Sequence, residues 1–392
     1  METLLQIIGF GPAALGLFIT ADRNGQLHRL LERGVEVHER SASLAQWNCL
    51  AYDIEANSPI EDFLRGIRVD GVFADCLQQP MVQRWLQAPG HVVQLNDVSI
   101  FLRQLAEIVV ALCAEHPRAA IHFGHNVDAI RGVSGGFCVT GDWGSRSSRY
   151  LVLACGARVR DLQLGAATAQ QPRPPLICSD RLLRGQADVQ LREALTQGRR
   201  VLVVGGSHSA FSTVGYLLER FSGCLAPQAI AVLCRRRPAL WSASSPGAQY
   251  LKATDVVDEE SGEVNRFCGL RGAAQQTLLS VEAGQQPSVA LHIGDTAIEP
   301  WLEDGFLLVN ATGYHPRLPS VFDQQGTAMA LDQMEGNLCK HPDTHELMAQ
   351  GVAVGGLFGT GLGFSDRRGK TLEVGVNFFH GRCASHILQA VL

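Results

Sequence analysis

No Cys-x-x-Cys pair occurs among the 11 cysteines of this sequence, and none of them stands in a paired spacing with histidine. A dithiol redox centre and a zinc site (or any other metal site) therefore lack support in the sequence. An odd number of scattered cysteines reads as the reduced thiols of a cytoplasmic protein. Positive charge is not in excess either. The net charge is -5, whereas a nucleic-acid partner requires a basic face, so none is expected. Long apolar runs are also missing. The apolar stretch 4–20 has Glu2 where a leader carries basic residues, and Gly9, Gly11 and Pro12 interrupt it. It is too short to span a bilayer, so a buried strand followed by a turn is expected in place of a signal or membrane anchor.

What is present is an ordinary globular balance, 46% hydrophobic and 18% charged over 392 residues, enough for two or three domains. The 41 glycines gather at strand-to-helix turns. Residues 4–9 read as a central parallel strand, 12–22 as a helix and 35–39 as a second strand. Residues 95–115 carry helical apolar spacing, with Asp97 or Ser99 as the expected cap. Short strands are expected at 120–123, 136–140 and 150–153. After a proline-rich connector at 170–175 and a short helix at 190–198, the strand–glycine–helix pattern starts again at 201–205. Residues 243–290 read as loops with one or two helices, and the tail as helix over 372–391. Gly9 and Gly205 lie 196 residues apart, which suggests a duplicated architecture and not a solenoid.

The first motif is Gly9-Phe-Gly11-Pro12-Ala13-Ala14. Gly9 permits a tight turn, Gly11 lets the backbone approach a diphosphate, and the small Ala14 lets the helix pack closely on the strand. The anion would sit at the helix N-terminus. Glu39 ends the second strand and can accept hydrogen bonds from a ribose diol; Arg40 follows it. The spacing from Gly9 is longer than the usual fingerprint, and an extension at Asn24-Gly25 absorbs the difference. The second motif, Gly205-Gly-Ser207-His208-Ser209-Ala210, fits the same fingerprint with serine in the second glycine slot. The next strand ends in Cys234-Arg235-Arg236-Arg237, with no acid for a ribose. Arginines there suit a 2′-phosphate and favour NADPH, with NADH still possible; a solvated basic turn is the other reading.

Two further stretches, Leu307-Leu-Val-Asn-Ala-Thr312-Gly313-Tyr314 and Val354-Gly-Gly-Leu-Phe-Gly-Thr-Gly361-Leu362-Gly363, have no mechanism legible from general rules. Together with the two turns they resemble the two-dinucleotide-binding-domain flavoproteins. They are most similar to the flavin monooxygenases with an Ala-Thr-Gly-Tyr hallmark, and among those to the lysine/ornithine N-hydroxylases. Trp47 stands where relatives place a tryptophan, Asn57-Ser-Pro-Ile-Glu-Asp-Phe-Leu64 matches that neighbourhood, and Leu151-Val-Leu-Ala-Cys-Gly156-Ala matches the end of the first FAD segment. The chain departs from them in being short, in Ser207, and in lacking the Phe-x-Gly-x-x-x-His fingerprint of the flavin-containing and Baeyer–Villiger branches.

The resemblance implies an α/β fold with two Rossmann-like domains. An FAD domain would be formed by 1–195 and 305–392, with an NAD(P)H domain, 196–304, inserted. It implies cofactor contacts at Gly9–Ala14, Glu39, Arg40, Trp47, Val127 and Gly156 for FAD. For the second cofactor it implies Gly205, Ser207, His208, Ser209, Arg235 and Arg236, with Thr312, Gly313, Tyr314, Gly361 and Leu362 closing the set. His208 could equally cap its own turn. Flavin supplies the reactive chemistry, so no side-chain nucleophile is needed. Asn377 and His380 are candidates at the flavin edge, although a buried, satisfied histidine is the plainer reading of His380. Asp366, Arg367 and Lys370 could bind a substrate carboxylate or form a solvated loop. Cys155 reads as a small hydrophobe. The implied function is an FAD- and NADPH-dependent monooxygenase that places an oxygen atom from O2 on an amine nitrogen of an amino acid or related small metabolite, through a C4a-hydroperoxyflavin. A flavin reductase or dehydrogenase without oxygen insertion and a non-catalytic flavoprotein are the alternatives. The motifs set neither the substrate nor the oligomeric state.

Overall fold

The computed structural model describes residues 3–88, 90, 92–162, 176–244, 252–259, 261–294, 297–303, 305–334, 336–368, 371–373, 375 and 378–392. Two sheets organise it. The strands in chain order are β1 (Thr3–Ile8), β2 (Val35–Glu39), β3 (Ala119–Phe123), β4 (Ala129–Val133), β5 (Gly136–Gly141), β6 (Gly144–Leu153) and β7 (Ala157–Val159), followed by β8 (Leu176–Cys178), β9 (Val201–Val204), β10 (Ile230–Cys234), β11 (Val289–Ile293), β12 (Leu307–Asn310), β13 (Tyr314–Pro316) and β14 (Ser320–Phe322). The first sheet runs β14-β4-β5-β6-β1-β2-β3, and the late strand Leu357–Gly359 joins it on β6. Pairing is parallel from β6 through β1 and β2 to β3, and antiparallel across β4, β5 and β6.

Alternation explains why β1 is buried on both faces. Leu5 and Ile7 pack into the core formed with helices Pro12–Arg23, Leu95–Glu115 and Ala384–Val391, while Ile8 packs against Phe137, Val139, Leu151 and Leu357 on the meander side. The helix 95–115 begins at Leu95 after Gln94, without a side-chain cap. Asp97, expected as a cap, lies inside the first turn, where its charge still suits the helix N-terminus. The extension expected after Gly25 is the helix Leu27–Arg33.

The second sheet is wholly parallel, in the order β11-β10-β9-β12-β8. Two of its strands lie outside the segment 196–304. β8, placed by the sequence reading in the first domain, and β12, placed in the returning segment of that domain, both hydrogen-bond into the second sheet. The unit around that sheet therefore reaches from β8 to β12, and the chain crosses between the sheets on β7 and β13, which pair with each other antiparallel. The tail also differs from expectation. Strand Asp366–Arg368 pairs antiparallel with Thr371–Glu373, a π-helical turn is present at Phe378–Cys383, and in the described tail Ala384–Val391 is α-helix. Among the described residues no helix is long and apolar enough to cross a membrane.

Candidate cofactor-binding sites

Each sheet carries its glycine turn where strand order reverses, β1 lying between β2 and β6 and β9 between β10 and β12. In open α/β sheets the crevice at such a point, outside the C-terminal strand ends, is where nucleotides bind. In the first turn Gly9 has φ of 95°, and a Cβ built on it would lie 2.3 Å from the Ala154 carbonyl oxygen. Only glycine fits. The Gly9 amide donates to the His38 carbonyl at 2.8 Å, tying the turn to β2. Gly11 precedes the helix, Pro12 opens it, and Ala14 is fully buried against the sheet. Pro12 has no amide hydrogen and the Ala14 amide donates to the Gly11 carbonyl at 3.0 Å, so Gly11 and Ala13 carry the amides this turn can present to an anion.

Glu39 fixes the shape of that turn. Its carboxylate is 8% exposed and accepts from the amide of Phe10 at 2.8 Å and from that of Ser41 at 2.8 Å. Trp47 holds Phe10 from the other side: its Nε1 donates to the Phe10 carbonyl at 2.5 Å, and the ring is buried. The tryptophan thus braces the turn from within. Arg40 is exposed beside it. Val127 is buried with Ile8 and Leu153, and Gly156, with φ of 68°, has open space where a Cβ would point. The distant segment after Leu357–Gly359 arrives at the same place. The Thr360 amide donates to the Leu153 carbonyl at 2.9 Å, and a Cβ on Gly361 (φ 101°) would be 3.1 Å from that of Ala13. Gly361 therefore lies against the start of the first helix, and Leu362 beside it is exposed. A cradle of small residues, helix amides and a partly satisfied acid fits an FAD diphosphate and ribose.

The second turn repeats the device. Gly205 has φ of 150°, and a Cβ on it would lie 2.2 Å from the Ala311 carbonyl oxygen. Ser207 is exposed, with extended backbone (φ -130°) in front of the helix His208–Arg220, so its Cβ costs the turn nothing. His208 accepts a hydrogen bond on Nε2 from the Arg271 amide at 3.0 Å. Burial, and then the Arg271 charge, bring its pKa down to about 4, so the ring is neutral with its proton on Nδ1. It caps a neighbouring helix, Gly272–Glu282, not its own. Arg235 and Arg236 are exposed at the end of β10, while Arg237 is held by Glu282 through two contacts of 2.7 Å. The cradle and two exposed guanidinium groups fit a nicotinamide dinucleotide with a 2′-phosphate.

The Ala311-Thr-Gly-Tyr stretch is the crossing from β12 to β13. Asn310 Oδ1 accepts from the Thr312 amide and hydroxyl at 3.1 and 2.8 Å, and Gly313 turns with φ of 99°. Tyr314 does not stand open: its hydroxyl donates at 2.5 Å to Asp180 Oδ1, which also accepts from the Tyr52 hydroxyl at 3.2 Å, and it meets the Ser209 side chain. Burial and the Asp180 carboxylate push the phenol well above its usual range. Asp180 and Tyr52 carry no motif, and only the tertiary structure brings them to the crossing. Cys155 is a thiol raised to about 12 by burial, as a packing residue should be. All 11 cysteines are free.

The charged group expected near the substrate divides. Asp366 is buried and ion-paired with Lys340 at 3.0 Å, so it is no solvated loop residue. Arg367 lies in the strand Asp366–Arg368 and His380 in the π-helical turn. Lys370 and Asn377 fall outside the described residues.

One mixed and one wholly parallel sheet, each with a glycine turn at its switch point and linked by the antiparallel pair β7–β13, make this an α/β fold of two Rossmann-like units. An ornithine N-hydroxylase of Kutzneria sp. 744, solved with reduced FAD, NADP+ and L-ornithine, has the same fold, with a TM-score of 0.63 and 13% identity over 100% of this chain and 99% of that one. A CMP-5′-(3-aminopropyl)phosphonate hydroxylase of Streptomyces rubellomurinus is 27% identical over 398 aligned positions, covering 91% of this chain and 88% of its own. The fold is also that of a bacillithiol disulfide reductase of Staphylococcus aureus (TM-score 0.57, 13% identity, 100% and 98% covered). No family model matches the chain.

Proposed function

We propose that this protein is an FAD- and NADPH-dependent monooxygenase that hydroxylates an amine nitrogen of an amino acid or related small metabolite. The observation that carries the reading is the pairing of two glycine turns, each closed to a side chain by a backbone carbonyl, with an acid beside the first and exposed arginines beside the second. The likeness to an ornithine N-hydroxylase and to a hydroxylase of an aminopropyl phosphonate nucleotide supports an amine substrate.

When bound, FAD supplies the redox and oxygen-activating chemistry. The residues of the chain bind and orient. The turn 9–14 and Gly361 hold the FAD diphosphate, and Glu39 accepts from its ribose. Ser207, the amides of its helix, Arg235 and Arg236 hold NADPH. Neutral His208 presents Nδ1–H as a donor in the second cradle. The overall reaction consumes an amine, O2, NADPH and a proton. One oxygen atom goes to nitrogen, the other leaves as water, and NADPH provides the two electrons.

The test is oxygen consumption and NADPH oxidation by the purified protein with candidate primary amines, including amino acids and nucleotide-linked amines. Equal O2 and NADPH consumption with one hydroxylamine formed per turnover is expected with the right amine. Flavin reduction followed only by peroxide release, with every amine offered, would favour a reductase.

A further inference from the structure

A buried group of ionisable side chains outside the two turns lies behind the segment 359–366. Lys340 and Asp366 are 6% and 8% exposed, with Nζ and Oδ1 3.0 Å apart. The same ammonium lies 3.6 Å from Cys383 Sγ, and that thiol donates to the Gly359 carbonyl at 3.7 Å. One lysine therefore reaches both ends of the segment, Asp366 directly and Gly359 through Cys383. Between those ends the chain turns at Gly361, against Ala13 and the first helix.

Two histidines complete the group. His345 Nδ1 lies 3.7 Å from Asp366 Oδ2, and its ring stacks on that of His386 with centroids 3.7 Å apart and planes at 15°. His345 has φ of 58°, a left-handed conformation uncommon for a side chain of this size. The turn around it is held by His341 Nδ1, which accepts from the amides of Asp343 and Thr344, and by Glu346, which accepts from the Gly356 amide at 2.7 Å. Donor atoms of His345, Asp366 and His386 come within 4.8 Å of one another. The Lys340 ammonium pairs with that carboxylate, so the group is built around an ion pair.

We propose that Lys340 is a positioning residue which, through Asp366 and Cys383, holds the segment 359–366 closed over the FAD turn, and that the stacked His345–His386 pair makes this closure weaken in acid. The proposal rests on the reading of the first turn as an FAD site.

The electrostatics give the sign. Burial is the main cause holding both imidazoles below their ordinary value; the neighbouring His386 lowers His345 further, and Lys340 and Arg382 act in the same direction on both. Asp366 opposes them, and Arg382 is itself paired with Glu373 at 3.2 Å. A histidine whose value is lowered in the closed state stabilises that state above its free value of about 6.5 and ceases to do so as pH falls below it. Two stacked imidazolium rings beside an ammonium would repel. Without the ammonium, Asp366 would be left as an uncompensated buried charge and would turn out to water.

The experiment uses the full chain, with FAD affinity followed by flavin fluorescence and loop opening by hydrogen exchange of peptides covering 359–366. Lys340→Met is expected to raise the FAD dissociation constant at least tenfold and to speed exchange in that segment, with unchanged far-UV circular dichroism. Lys340→Arg is expected to recover most of the loss. The His345→Gln, His386→Gln double variant is expected to flatten the rise in FAD dissociation from neutral pH to mildly acid pH. Unchanged exchange in Lys340→Met, or Lys340→Arg no better than Lys340→Met, overturns the proposal. Should Lys340→Met fail to fold, Cys383→Ala is the second variant: a several-fold weaker FAD and faster exchange at the Gly359 end support the bridge, and wild-type behaviour overturns it. A wild-type protein that takes up no FAD refutes the cofactor reading, while the exchange comparison still decides the closure.

Discussion

Removing the Glu39 carboxylate should empty the first site, and the structure sets the size of the effect. The side chain is 8% exposed and accepts from two backbone amides, Phe10 and Ser41, each at 2.8 Å. In Glu39→Ala both donors lose their acceptor, at about 1–3 kcal/mol each when buried. The turn itself is therefore expected to lose roughly 2–6 kcal/mol, the low end applying if water reaches Ser41. The effect on FAD is separate. A carboxylate has about four lone-pair positions, and with two given to amides about two remain for a ribose diol. Hydrogen bonds to a charged group contribute about 1.5–3 kcal/mol each. At about 1.4 kcal/mol per factor of ten, FAD binding should weaken by at least about 100-fold. Flavin absorbance relative to protein in the purified variant, and titration of the apoprotein with FAD, measure this. Glu39→Gln keeps the volume and one acceptor, so it should fall between wild type and alanine. Wild-type flavin content in Glu39→Ala would remove this residue from the site and the ribose argument with it.

Replacing Arg235 and Arg236 together by alanine should raise the KM for NADPH by about tenfold or more and leave that for NADH nearly unchanged, as expected for loss of charge-assisted contacts to a 2′-phosphate; equal losses for both cofactors would refute the assignment. Acid should destabilise the first sheet. His38, 1% exposed, is held at about 3, chiefly by burial and then by His122, and Glu36 is held at about 2, chiefly by its bond to His122. The folded value is depressed in both cases. The His38 contribution is complete above about 6.5 and declines as pH falls toward 3, and that of Glu36 declines from 4.5 toward 2. Urea midpoints should therefore fall as pH drops below about 6.5, and His38→Leu should show a shallower fall; parallel curves for the two proteins would contradict this.

The two glycine turns were legible in the sequence because the cause is local. An apolar strand run into Gly9 or Gly205 leaves few conformations for the next residues, and both positive φ angles and both helices stand where the motifs place them. The end of the second strand at Glu39 and the long helix Leu95–Glu115 were legible for the same reason, since each depends on spacing within one segment. What the sequence could not decide was partnership. Strand β12 has the apolar pattern of any buried strand, and only its pairing with β9 and β8 assigns it to the second sheet. Trp47 stood where the resemblance put it, but its bond to the Phe10 carbonyl, which makes it a brace of the turn, needed the fold. Lys340, His345 and His386 lie in a polar turn and a tail helix that follow no motif, and they meet Asp366 only when the strand Leu357–Gly359 adds to β6. Local backbone rules act over a few residues and can be read in order along the chain. The meeting of side chains tens to hundreds of residues apart depends on which strand pairs with which, and that choice is made by the packing of the whole molecule.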